Sequence, residues 1–168
     1  SFRQSHSTIN CLAFQRDPSQ AAATNNCPWL LAAGDAGGII NLYQTSEQKV
    51  KTICQGSHYD IYSVAFSPDG MTFASGGRGE VRFWDVATGR NLLTVPGFDF
   101  CVALAFSPDG KQLAAGTLQG FGEPHVNVIE LESSRGISAL RGLSSQVSMV
   151  EFSHDGQRLA ALSHNWQL

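Results

Sequence analysis

At 168 residues the chain fits one domain, and its 42% hydrophobic content supports a packed core rich in the tight turns that 17 glycines suit. A net charge of −3 with no basic run offers no footprint for a phosphate backbone, so nucleic acid is not an expected partner. No apolar stretch approaches the roughly 20 residues of a membrane helix, and Ser1 to His6 carry no signal-peptide pattern, as a mature or excised chain would also lack one.

The first predicted strand covers residues 9–14 and ends on Phe14. From Gln15 to Pro28 the Asp-Pro, Ala-Ala-Ala and Asn-Asn content reads as a surface loop. A third strand at Leu42-Tyr43 and a fourth over Lys49-Val50-Lys51-Thr52-Ile53-Cys54 complete the first unit. The second unit opens on Ser63-Val64-Ala65-Phe66-Ser67-Pro68-Asp69-Gly70, an alternating strand over residues 62–67 that runs into a tight turn. Proline presets φ there, and glycine takes the left-handed conformation that ends the turn. A second strand at Phe73-Ala74-Ser75-Gly76, a short turn at Gly77-Arg78-Gly79, a third strand at Phe83-Trp84 and a fourth over Asn91-Leu92-Leu93-Thr94-Val95 follow.

The same order returns at Ala103-Leu104-Ala105-Phe106-Ser107-Pro108-Asp109-Gly110, with a first strand over residues 102–107. Leu113-Ala114-Ala115-Gly116 is its second strand, Leu118 to Pro124 an insertion, and Val128-Ile129 its third strand. It begins again at Met149-Val150-Glu151-Phe152-Ser153-His154-Asp155-Gly156, with a strand over residues 147–153 followed by Leu159-Ala160-Ala161-Leu162. The sequence then stops inside the third strand of this fourth unit.

Strand, Asp-Gly turn and strand make a β-hairpin signature, and a period of about 40 residues reads as a stacked or radial repeat. Each unit is a four-stranded antiparallel meander, and no window keeps a helical period beyond a turn or two. The units span roughly residues 7–54, 58–95, 98–141 and, in part, 143–168. In the first strands Leu12, Val64, Leu104 and Val150 share a face with Phe14, Phe66, Phe106 and Phe152. The opposite face carries Cys11, Ser63, Ala103 and Met149, then Ala13, Ala65, Ala105 and Glu151. Large on one face and mostly small on the other lets neighbouring sheets interlock near a crowded axis. Glu151 breaks that pattern and reads as a strand end reaching solvent.

Cys11, Cys27, Cys54 and Cys101 form no C-x-x-C pair, and Cys11 and Cys101 fall in strands, where a thiol acts as a small buried hydrophobe. With no N-x-S/T sequon either, a reducing, cytoplasmic setting is preferred.

The repeats resemble the WD-repeat family of β-propellers, in a form like the bacterial-type repeats appended to kinases and nucleotide-driven switch proteins. The strongest segment is Val64-Ala65-Phe66-Ser67-Pro68-Asp69-Gly70, then Ala74-Ser75-Gly76-Gly77, then Val81-Arg82-Phe83-Trp84-Asp85. Trp84-Asp85 supplies the dipeptide that names the family, and Tyr43-Gln44 and Ile129-Glu130 are its counterparts. The resemblance implies an all-β propeller of four-stranded antiparallel blades, incomplete in this chain. It also implies a non-catalytic scaffold for protein–protein interaction, suited to the sensor or regulatory part of a larger signalling protein. The family often sets a histidine before the first strand to bond an aspartate in a later turn. Here Ser57, Gly97 and Leu143 stand at the histidine positions and Gly37, Arg78 and Asn165 at the aspartate positions, so apolar packing must hold the blades together. Propellers close with 4–8 blades. Roughly three and a half are present, so the remaining blades are expected from a longer chain or from a second copy.

An alternative is a propeller hydrolase or lactonase with a metal in its channel. Its ligands would converge where the first strands begin, at Thr8, Asp60, Phe100 and Gln146, where only one carboxylate stands. The aspartates Asp35, Asp60, Asp69, Asp85, Asp99, Asp109 and Asp155 mostly sit at turns, where aspartate caps the backbone. No Gly-x-Ser-x-Gly elbow occurs. The expectation is therefore no catalytic residue, no metal and no cofactor. A further alternative is a purely structural segment that completes a larger ring. The favoured reading places protein partners on the face formed by the loops before first strands and the tips between second and third strands. That face gathers Tyr59, Asp60, Arg78, Phe98, Phe100, Phe121, His125, Gln146, His164 and Asn165, with the aromatic and arginine composition of interaction hot spots. Phe98 and Phe100 have a competing reading as rings tucked under neighbouring blades.

Overall fold

The computed structural model describes residues 7–16, 29–45, 49–55, 59–118, 125–132, 137–141, 143 and 145–163. Three turns of one design set its register. In the first, the Ser67 hydroxyl donates to Asp69 Oδ1 and accepts from the Thr72 amide, at 2.5 and 3.1 Å. The same Asp69 oxygen accepts from the Met71 amide at 2.9 Å, and the Gly70 amide donates to the Ser67 carbonyl at 2.9 Å. Ser107 with Asp109, and Ser153 with Asp155, repeat these bonds. Gly70, Gly110 and Gly156 take φ of 69°, 72° and 70°, a region that a side chain would strain. Each turn holds a first strand against a second so that Phe66 faces Phe73, Phe106 faces Leu113 and Phe152 faces Leu159.

The strands are all antiparallel and run in chain order within each sheet. The first sheet contains β1 (Ile9–Arg16), β2 (Trp29–Asp35), β3 (Ile39–Gln44) and β4 (Lys49–Gln55). The second contains β5 (Ile61–Phe66), β6 (Thr72–Gly77), β7 (Gly79–Asp85) and β8 (Asn91–Phe98). The third contains β9 (Cys101–Phe106), β10 (Gln112–Thr117), β11 (Val126–Glu130) and β12 (Ile137–Leu140). In the fourth, β13 (Val147–Phe152) pairs with β14 (Leu159–Ser163). No α-helix occurs among the described residues. β1 packs beside β5, β5 beside β9 and β9 beside β13, so the first strand of each sheet is the innermost. The arrangement is an incomplete β-propeller.

Two strands run past their expected ends. β1 continues to Arg16 because Gln15 and Arg16 find ladder partners in Leu30 and Trp29. β8 continues through Pro96 to Phe98, which a sheet edge tolerates because an edge strand has ladder groups left unused. The pairing shifts between Gly79 and Glu80, and Gly97 absorbs the irregularity at φ 100°. Glu151 lies one residue before the end of β13, opposite Ala160, and is exposed to solvent.

Each junction sets one sheet, with small residues on its inner strands and larger ones farther out, against the large face of the next. Cys11, Ala13, Ala32 and Leu42 meet Val64, Phe66, Phe73 and Trp84. Ala74, Val81 and Phe83 meet Leu104, Phe106, Leu113 and Ile129. Ala103, Ala105, Ala114 and Val126 meet Val147, Val150, Phe152 and Leu159. A strong polar contact is buried within this packing: the Trp84 indole N–H donates to Ser75 Oγ at 2.8 Å while its ring stacks on Phe73, 6.1 Å between centroids. A buried indole needs such an acceptor, and Ser75 supplies it from the adjacent strand.

Glycine makes the junctions close enough. A Cβ on Gly34 would lie 2.6 Å from Ile61 Cγ2, one on Gly76 2.6 Å from Cys101 Sγ, and one on Gly116 2.5 Å from Val147 Cγ1. These three glycines occupy one repeat position, opposite Cys11, Ser63 and Ala103. In the fourth sheet that position is Leu162, opposite Met149.

Gly76→Ala is expected to destabilise the fold by about 1–3 kcal/mol, the range for overpacking a core that cannot yield. Its Cβ would also stand 2.9 Å from the Cys101 carbonyl oxygen, whereas the three atoms nearest a Cβ on Gly116 are side-chain atoms of Val147 and Val150. Urea unfolding should therefore rank Gly76→Ala as the costlier change, and the reverse order would contradict this account. The turns predict a pH dependence as well. The Ser107 and Ser153 hydroxyls hold Asp109 and Asp155 below the usual carboxylate range. Their contribution is complete above the unfolded value of about 3.9 and is lost as pH falls through the lower folded values. Asp109→Asn should flatten the decline of unfolding free energy below about pH 4 relative to the parent chain.

Candidate interaction face

The ladder register decides which loops share an end. Ile9 stands opposite Asp35, Ile61 opposite Gly77, Cys101 opposite Thr117 and Val147 opposite Ser163. The segments that lead into first strands therefore lie beside the tips that leave second strands. Backbone bonds tie the two together: the Ala36 amide donates to the Thr8 carbonyl and the Leu118 amide to the Phe100 carbonyl, each at 2.9 Å. At the first tip, Asp35 is buried and its Oδ1 accepts from the Gly37 and Ile39 amides at 2.8 and 2.9 Å.

At the junction of the second and third sheets this end carries a side-chain cluster. Arg78 occupies the tip between β6 and β7, where Gly79 at φ 91° lets the chain reverse. Its guanidinium carbon lies 5.5 Å from the ring centroid of Tyr59 and 5.5 Å from that of Phe100. The Phe100 ring also meets Tyr62, with centroids 6.1 Å apart and planes tilted by 57°. The Tyr62 hydroxyl donates to Asp60 Oδ2 at 3.2 Å. Burial pushes the Tyr62 phenol above its ordinary value, the Asp60 carboxylate adds to that, and Arg78 opposes it. The tip backbone is pressed against the same segment, since a Cβ on Gly77 would stand 2.8 Å from the Asp60 carbonyl oxygen.

The structure thus brings together Tyr59, Asp60, Arg78 and Phe100, and adds Tyr62, which the sequence reading passed over. The spacing of Asp60 and Tyr62 was the available signal, because residues two apart on a strand share a face. Phe98 is corrected: its ring is 2% exposed and lies in the core with Ala74, Val81 and Leu113. The continuation of β8 carries it opposite Gly79 and inward, away from the loop face. His125 is half-buried, and its carbonyl accepts from both the amide and the hydroxyl of Thr117 at 3.1 Å. Gln146 is exposed before β13. Phe121, His164 and Asn165 lie outside the described residues, as does Cys27.

The rest of the polar chemistry is committed to structure. Asp69, Asp109 and Asp155 serve the turns, and the Thr88 hydroxyl and amide hold the Asp85 carboxyl below its usual range. Burial pushes the Cys11 and Cys54 thiols up to about 11 and Cys101 to about 12, so none offers a thiolate near neutral pH. Among the described residues no three His, Cys, Asp or Glu side chains are placed to share a metal ion. No described helix is long and apolar enough to cross a membrane. What this end offers is a cation seated on aromatic rings.

Comparison with known proteins agrees with this architecture. The family described as WD domain, G-beta repeat matches residues 48–85, which run from β4 through the second sheet to the end of β7. Small ribosomal subunit protein RACK1 of Caenorhabditis elegans is 30% identical over 149 residues, covering 82% of this chain and 44% of the relative. Cross-pathway control WD-repeat protein 2 of Flammulina velutipes is 28% identical over 163 residues, covering 91% and 48%. WD repeat-containing protein SL1-17 of Schistosoma mansoni is 31% identical over 147 residues, covering 86% and 47%. The chain spans about half the length of these curated relatives. With a matched repeat that spans β4 to β7, and relatives that carry the repeat in their names, the chain belongs to the WD-repeat family of β-propellers.

Proposed function

We propose that the chain is part of a non-catalytic propeller scaffold whose loop face binds protein partners. The observation that carries this reading is the cluster of Tyr59, Arg78 and Phe100 at the second junction. Its aromatic and arginine composition is that of interaction hot spots, and backbone contacts hold it in place before any partner arrives. Protein is favoured over nucleic acid because the net charge is −3 and no basic run exists. A cytoplasmic setting fits three cysteines in reduced form within the sheets. RACK1 is named as a protein of the small ribosomal subunit, which offers a precedent for such a scaffold inside a larger assembly.

The remaining blades of the ring are best supplied by the rest of a longer chain, since the relatives are about twice this length. A second copy is the weaker alternative. Its first sheet offers the large face of Leu12 and Phe14, and the fourth sheet would have to receive it on Met149, Glu151 and Leu162. At the equivalent position in the other junctions even a Cβ is too much.

A photo-crosslinking residue placed at position 59 of the full-length protein should capture a protein partner, and one placed at position 109, in a turn at the opposite end, should not. Adducts from position 109 alone would overturn the assignment of the face. The isolated 168-residue chain should form no defined head-to-tail dimer by light scattering; a stable two-copy ring would restore the second-copy account.

A further inference from the structure

We propose that Arg78 is the anchor for a carboxylate side chain in an acidic segment of the partner protein. The inference rests on the scaffold reading above and names the chemistry that its loop face selects. Three observations lead to it. First, Arg78 is exposed at a hairpin tip, yet its guanidinium is located by two rings, Tyr59 from the segment before β5 and Phe100 from the segment before β9. The donor group is therefore held in place across a blade junction, and less side-chain freedom is lost when a ligand binds. Second, among the described residues Arg78 makes no ion pair, while Arg82, four residues on, pairs with Glu80 at 2.7 Å. Third, the Asp60 carboxylate in the cluster already accepts the Tyr62 hydroxyl.

A guanidinium packed on aromatic rings keeps its N–H donors at its rim, where two parallel bonds match a carboxylate. The rings also exclude water on one side, which strengthens the pair that forms there. The local charge favours a monoanion. Among the described residues Arg78 is the cation of the cluster, and the Asp60 carboxylate stands in the same cluster through Tyr62. A dianionic phosphate would bring two charges beside the Asp60 carboxylate with one arginine to answer them, whereas a glutamate or aspartate side chain asks for one fork and no more. The half-buried Phe100 and the exposed Tyr59 leave an apolar border on which the methylene groups of such a residue can rest.

The test uses the full-length protein and three fluorescent peptides of equal length: one rich in glutamate, one with glutamine in its place, and one with a single phosphoserine among glutamines. The glutamate peptide should bind, weaken with added salt, and lose about ten- to hundredfold in affinity on Arg78→Ala, the loss expected for one charged hydrogen-bonded contact. Arg78→Lys should recover little, because an ammonium provides neither the fork nor the same seat on the rings. Phe100→Leu should weaken binding while Arg78 is still present. Unfolding midpoints of the two Arg78 variants should fall only slightly below that of the parent, since the side chain is exposed and its ring contacts are weak beside the core. Equal binding of parent and Arg78→Ala, or tighter binding of the phosphoserine peptide, would overturn the carboxylate assignment. If crosslinking from position 59 still captures a protein that ignores Arg78→Ala, the scaffold reading stands and this proposal falls. If position 59 captures nothing while position 109 does, the scaffold face itself is wrong.

Discussion

Everything else in the molecule depends on how closely the sheets approach at Gly34, Gly76 and Gly116. There the second strand of one sheet touches the first strand of the next through the space a methyl group would fill. That contact sets the separation of the sheets on the inner side, and the side chains farther out must fill what the separation leaves. Alanines and other small residues near the axis of one face, larger ones such as Leu42 and Phe83 farther out on it, and valine, leucine and phenylalanine on the other face fill it at the three junctions. The interiors of proteins tolerate neither voids nor overlap, so the same solution recurs wherever the same glycine recurs. The repetition of the sequence is in this sense the repetition of one steric problem.

Two consequences follow for the interaction face. The inner strands cannot shift relative to one another, because the ladder fixes each sheet and the glycine contact fixes neighbouring sheets. Loops at their ends inherit that rigidity, which is how Arg78 on one sheet and Phe100 on the approach to the next reach a defined distance. The resemblance put a buried aspartate where Arg78 stands. With no histidine to receive it, the position is free of an internal network, and a long cation there turns to the rings beside it. Trp84 and Ser75 keep one polar bond within the blade, but apolar contact supplies most of the cohesion between blades.

Much of this was legible in the residues. The Ser-Pro-Asp-Gly turns, the alternation in the first strands and the contrast of face sizes each carry a local physical signal, and each appears where that signal placed it. For Phe98 the residues left a loop site and a tucked ring both open, because Pro96-Gly97 reads as a strand end. Only the edge position of β8 and the left-handed Gly97 let the strand continue and turn the ring inward. The cluster around Arg78 was legible as membership of one end and no further. Its residues come from three segments, and a list of neighbours at one end does not say which side chains touch. Tyr62 was missed because it sits inside a strand, where the alternation draws attention to packing rather than to the Asp60 carboxylate beside it.

The fourth sheet shows what happens when the repeated constraint is released. Met149, Glu151 and Leu162 replace a small residue, an alanine and a glycine, on the face that elsewhere receives the next sheet. Any one of them alone is absorbed by a local shift. Together they exclude the spacing of the first three junctions, because Leu162 fills the inner contact while Glu151 brings a charge that an apolar face would strand. A sheet that covers this face must therefore stand farther off near the axis and bring a polar or cationic group opposite Glu151, or leave that carboxylate in water. The large face of the first sheet, with Leu12 and Phe14 exposed, is shaped for a small-faced neighbour of the ordinary kind. The two open faces are thus not complements of each other, and a sheet placed between them would have to meet the fourth sheet through a junction unlike the three described.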